Sequence, residues 1–150
     1  MKATPPLLQL AAGRKVRARK AATIRPKESR LHFDIVRILN DHAKPGWIHF
    51  HVPNGERREI KTGARLKKMG VRRGVPDLVL FSPSGKIHLL ELKRNGENLS
   101  PSQEEFRGWA IRTGVPFVTA HSFTEALVAL DTWGVLRIKI APPDEQGGAI

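Results

Sequence analysis

Leu31, Ile35, Ile38 and Leu39 recur at helical spacing, and Pro26 suits a first turn, so the pattern predicts a helix from Pro26 to Asn40. From Trp47 to Val52 the apolar positions alternate, the period of a strand, and the run stops at the turn-forming Pro53-Asn54-Gly55. Ile60 to Met69 returns to helical spacing, with Leu66 and Met69 expected inward and Gly70 as the stop. Two strand-like runs, one opened by Asp77 and one carrying Glu91 near its end, flank Ser82-Pro83-Ser84-Gly85 and read as a β-hairpin. Ser100-Pro101-Ser102-Gln103 is a capping box that starts a helix with Phe106, Trp109, Ala110 and Thr113 on its inward face. Val115 to Ala120 is a further strand, and Ser122-Phe123-Thr124-Glu125 caps a helix with Ala126, Leu127 and Leu130 inward. Val135 to Ile140 is expected as a last edge strand. The order suits an α/β layer fold with a mixed sheet: a flexible basic arm over 1–25, one folded domain over 26–140 and a loose Pro/Gly-rich tail over 141–150.

The hairpin carries the chemistry. With its turn centred at Ser84, antiparallel partners sum to 168, which sets Asp77 opposite Glu91. Like charges facing each other across strands are destabilising, so the pair makes sense when something positive sits between them. Oxygen ligands of this kind suit Mg²⁺ or Mn²⁺. Lys93 shares the face of Glu91, and Leu90 and Leu92 point to the other. Two acids with a lysine beside them suit phosphodiester cleavage, in which a metal activates water and the lysine orients it or steadies developing charge.

Charge agrees with a polyanionic partner. The net charge is +12, of which residues 1–27 supply +8 and residues 56–73 supply +6, leaving −2 for the remainder. Clustered cations bind phosphate backbones by counterion release, so DNA or RNA is the natural partner; a solvated, solubilising surface is the competing reading. The Arg-rich, acid-free N-terminus also fits an organelle transit peptide, although a nucleic-acid-binding arm accounts for it equally and is preferred. The absence of cysteine excludes disulfides and thiolate metal sites. The lack of a long apolar run argues against a membrane span, and a cytoplasmic protein is expected, in the host cytoplasm if viral.

Pro76-Asp77 followed by Glu91-Leu92-Lys93 resembles the PD-(D/E)XK nuclease superfamily. More narrowly, Glu28, His51-Val52-Pro53-Asn54-Gly55, Gly74-Val75-Pro76-Asp77-Leu78, Glu91-Leu92-Lys93 and Leu99-Ser100-Pro101-Ser102-Gln103 occur in the order found in the VRR-NUC family. The resemblance implies a restriction-endonuclease-like αβββαβ core with a mixed sheet flanked by helices. It also implies a stand-alone phage or bacterial nuclease that uses Mg²⁺ or Mn²⁺ and leaves 5′-phosphate and 3′-hydroxyl ends. Asp77 and Glu91 would hold metal, joined by the Leu92 carbonyl and Glu28; Lys93 would assist the attacking water and Gln103 support the site. A first-turn glutamate is also what a helix dipole favours, so Glu28 has a structural explanation too. Histidines in a strand are most often ordinary half-buried residues, but His51 and Asn54 match the family segment and are expected near the scissile phosphate. Arg57, Arg58, Lys67, Lys68, Arg72 and Arg73 are the expected DNA contacts.

Three functions compete on this basis. A metal-dependent DNA nuclease, acting on branched or recombination-type DNA and gaining from a two-fold dimer, leads. A non-catalytic basic nucleic-acid-binding module is second, and a packaging protein third; both explain the charge and neither explains the facing acids.

Overall fold

The helical spacing of Leu31, Ile35, Ile38 and Leu39 becomes α1 (Lys27–His42), in which Ile35 and Leu39 are almost wholly buried. The computed structural model describes residues 27–53 and 60–140, with side chains over 29–53 and 62–140. The basic arm, the C-terminal tail, Asn54, Arg57 and Arg58, and the side chain of Glu28 lie outside the described residues. After α1 come β1 (Ile48–His51), α2 (Ile60–Lys68), β2 (Leu78–Phe81), β3 (Ile87–Leu92), α3 (Pro101–Thr113), β4 (Phe117–Ala120) and α4 (Phe123–Thr132).

The strands form one sheet in the order β1-β2-β3-β4, antiparallel at the first two junctions and parallel between β3 and β4. Helix α3 is therefore the crossover that a parallel pair requires. The hairpin has the expected register, Leu78 against Leu90 and Phe81 against Ile87. Its turn closes through Gly85 N to Ser82 O at 2.9 Å and Ser82 N to Lys86 O at 2.8 Å.

Strand alternation divides the core into two layers. Leu78, Leu80, Leu90, Leu92 and Ala120 face α1 and α4, where they pack with Ile35, Leu39, Ala126, Ala129, Leu130, Val135 and Leu136. Val79 and Leu89 face α3 and pack on Ala110, with Val52, Phe81, Phe106, Val115 and Phe117 around them. Removing a buried leucine from the first layer costs about 2–5 kcal/mol, because the cavity collapses only in part.

Several sequence expectations change in three dimensions. Val135 to Ile140 does not join the sheet: Val135 and Leu136 enter the core, and the segment pairs with the end of α1. Lys44 N donates to Val135 O at 2.7 Å and Arg137 N to His42 O at 2.8 Å. Met69 is 67% exposed, and Trp109 is 41% exposed against the edge of Phe106. Thr113, also expected inward, is exposed and returns its hydroxyl to the carbonyls of Trp109 and Ala110. On α3, Ala110 is the residue that the narrow contact with the sheet buries fully.

Candidate active site

Asp77 immediately precedes β2, and its placement begins with Gly74. This glycine is buried at φ +79°, and a Cβ there would lie 2.1 Å from the Ser102 carbonyl oxygen. The loop backbone therefore rests against the first turn of α3, and only a residue without a side chain fits. Buried Pro76 then delivers Asp77 to the end of the sheet.

The two acids meet as the register requires, and each accepts the backbone N–H of the opposing strand. Asp77 N donates to Glu91 Oε2 at 3.3 Å, and Leu92 N donates to Asp77 Oδ2 at 2.9 Å. Glu91 is 2% exposed, and Lys93, whose side chain is 13% exposed, places Nζ 3.3 Å from Glu91 Oε1. Gln103 Nε2 donates to the same oxygen. Burial, followed by the negative charge of Asp77, pushes the Glu91 carboxyl from 4.5 up to about 7, against the pull of Lys93 and the accepted hydrogen bonds. Near neutral pH the site therefore holds a carboxyl poised between its two charge states.

Gln103 joins the helix cap to this site. Its Oε1 accepts from Ser100 N at 2.8 Å, and its backbone N–H donates to Ser100 Oγ at 3.4 Å, completing the capping box. With Oε1 committed to a donor, Nε2 is the end left to face Glu91. Cap and site thus fix the same amide.

On the other side of Asp77 stand two histidines. His51 Nδ1 lies 2.9 Å from the Asp77 carbonyl oxygen, and the His32 ring meets the His51 ring edge-on at 4.3 Å. One ligand atom each from His32, His51 and Asp77 lie within 4.8 Å of one another. Burial first, and then the proximity of His51, holds His32 below the ordinary histidine value, with Asp77 opposing. His32 escaped the sequence reading; the available signal was its place four residues after Glu28, hence on the same face of α1. His49 instead bonds Asn40 Oδ1 at 3.0 Å and serves as a strand-to-helix tie.

The structure thus brings together Asp77, Glu91, Lys93, Gln103 and His51, with the Leu92 backbone in contact. Glu28 contributes its backbone to α1. Lys67, Lys68 and Arg73 are exposed, the first two at the end of α2. Arg72 approaches Glu105 at 3.5 Å and covers the Phe106 ring at 5.8 Å, tying its loop to α3. Among the described residues no helix is long and apolar enough to cross a membrane.

The fold is that of known nuclease-type domains. One solved structure described as a VRR-NUC domain protein aligns with a TM-score of 0.59 at 18% identity, over 75% of this chain and 98% of its own. Another, described as a VRR-NUC domain, aligns with a TM-score of 0.52 at 18% identity, over 71% of this chain and 97% of its own. No curated protein matches the chain. The VRR-NUC domain model matches residues 27–124, from the start of α1 into α4, and the chain belongs to this family.

Proposed function

We propose that the chain is a metal-dependent nuclease that hydrolyses phosphodiester bonds in DNA, with Asp77, Glu91, Lys93 and Gln103 as its working residues. The observation that carries this reading is Glu91: a carboxyl 2% exposed, beside a second acid, and raised to about 7. A protein gains nothing in stability from such a group, and a cation between the acids would relieve it. The donor set suits Mg²⁺ or Mn²⁺, held by the Asp77 and Glu91 carboxylates with the Leu92 carbonyl and Glu28. When bound, such an ion polarises a phosphate oxygen and lowers the pKa of water.

The chain's own groups do the rest. Gln103 holds the Glu91 carboxylate in one orientation while its other end is locked in the helix cap. Lys93 brings a positive charge from a mostly buried position, where it orients the attacking water and steadies charge developing on the phosphate. His51, braced on the Asp77 backbone, borders the path of the scissile phosphate. Lys67, Lys68 and Arg73 offer phosphate contacts, joined by Arg57, Arg58 and the N-terminal arm. Branched or recombination-type DNA is the preferred substrate, 5′-phosphate and 3′-hydroxyl ends are the products, and a two-fold dimer would present one site to each strand. A purely binding module, the competing reading, leaves the cost of burying Glu91 unexplained.

The test is a panel of labelled linear, flapped, gapped and four-way DNAs with Mg²⁺, Mn²⁺ or EDTA. Cleavage restored by either ion and abolished by EDTA, with binding retained in EDTA, is expected. Unchanged cleavage in EDTA would sink the metal mechanism, and binding without cleavage under every condition would favour the binding module.

A further inference from the structure

The sheet separates two sets of ligands. Glu91, Lys93 and Gln103 lie on the face covered by α3, whereas His51 pairs with Leu78 and so lies on the face covered by α1, together with His32. Asp77 stands at the end of the sheet between them and touches both sets, Glu91 Oε2 through its backbone N–H at 3.3 Å on one side and the histidine cluster on the other. We propose that His32, His51 and Asp77 form a second metal subsite, one that takes a borderline transition-metal ion such as Co²⁺ or Zn²⁺ and discriminates against Mg²⁺. The proposal rests on the metal-dependent reading only through the shared Asp77.

Three features support it. First, two imidazoles and a carboxylate are the donors chosen by Zn²⁺, Co²⁺ and their neighbours, whereas Mg²⁺ demands oxygen. Second, the spacing is nearly closed. Ligand atoms about 2.1 Å from one tetrahedral ion lie about 3.4 Å apart, so a cluster already within 4.8 Å closes by side-chain rotation of about an ångström. Third, the carbonyl of Asp77 can only accept, so the His51 nitrogen facing it at 2.9 Å carries the hydrogen, and the lone pair of the neutral ring sits on Nε2. A ring nitrogen tied to a backbone carbonyl, with the other left to coordinate, is the usual setting of a metal-binding histidine. A plain packing contact between two rings requires none of these.

The subsite is tested on the full-length chain by Co²⁺ titration, read by the visible d–d absorption that nitrogen coordination changes in position and intensity, without DNA or turnover. The wild type should develop this absorption and keep it in a large excess of Mg²⁺. His32→Gln and His51→Gln, made separately so that either serves if the other fails to fold, should each weaken Co²⁺ binding by about 100-fold or more, the loss of a direct ligand exceeding that of an outer partner. Glu91→Gln should retain the signal, because that residue belongs to the other face. Unaltered Co²⁺ affinity in both histidine variants, displacement by Mg²⁺, or equal loss in Glu91→Gln would overturn a separate subsite. Co²⁺ absorption with these properties supports it whether or not any DNA is cut, so failure of the nuclease reading leaves it standing.

Discussion

Replacing Glu91 with glutamine should make the metal-free protein more stable at neutral and alkaline pH, and the amount can be worked from the site. Glu91 is pushed from 4.5 up to about 7, first by burial and then by Asp77. Below pH 4.5 the carboxyl is protonated in both folded and unfolded chains, so it exacts no penalty. Between 4.5 and about 7 the unfolded chain releases its proton while the folded one retains it, and stability falls as pH rises. Above 7 the loss is complete and comes to about 3 kcal/mol. Glutamine keeps the shape and does not titrate. The two proteins should therefore melt together near pH 4 and diverge as pH rises, the variant gaining up to about 10 °C by pH 8 for a domain of this size.

The assay is a set of thermal melts in EDTA from pH 4 to 8.5, read as variant minus wild type. Taking the difference matters because His32, His49 and His88 are held below the ordinary histidine value, mainly by burial. They contribute stability that is full above about 6.5 and lost as pH falls, a trend opposite to that of Glu91 and common to both proteins. Mg²⁺ should reverse the ranking by stabilising the ionised wild type alone, because it requires the carboxylate oxygens that glutamine removes. A difference that does not change with pH, or a variant less stable at pH 8 than at pH 4 relative to wild type, would refute the claim that Glu91 is an electrostatically strained group kept for a cation.

Lys93→Ala should lower the cleavage rate by roughly 100-fold or more while metal affinity, measured calorimetrically, is kept or improved because a neighbouring positive charge has gone; near-normal turnover would remove Lys93 from the chemistry. Gly74→Ala should destabilise the fold by about 2 kcal/mol or more, since the new methyl meets the Ser102 carbonyl at 2.1 Å in a backbone conformation that L-residues avoid; an unchanged melting temperature would mean that the loop is free of α3. Deleting residues 1–25, or replacing Arg57, Arg58, Lys67 and Lys68 with alanine, should weaken DNA binding for all sequences and flatten the salt dependence, the log–log slope falling by nearly one for each phosphate no longer neutralised; unaltered slopes would place the DNA on another face.

Local signals were enough for the hairpin and the helix start. The turn around Ser84 sets a register that the structure reproduces pair by pair, because antiparallel pairing next to a tight turn leaves no freedom in which residues face each other. The capping box at Ser100 and Gln103 is equally short-range, and it appears complete. Mere apolarity said less. Met69 and Trp109 lie on helical stripes yet stay exposed, and Val135 to Ile140 has strand composition yet packs against the end of α1, because what a segment buries depends on which neighbour arrives beside it. The site divides along the same line. Asp77, Glu91 and Lys93 were legible because one hairpin carries all three. That Gln103 spans cap and carboxylate, that Gly74 must lie against α3, and that His32 of α1 reaches His51 of β1 beside Asp77 are decided by contacts between elements distant in sequence. Periodicity along a chain can place a residue on a face, but only tertiary packing decides what that face meets.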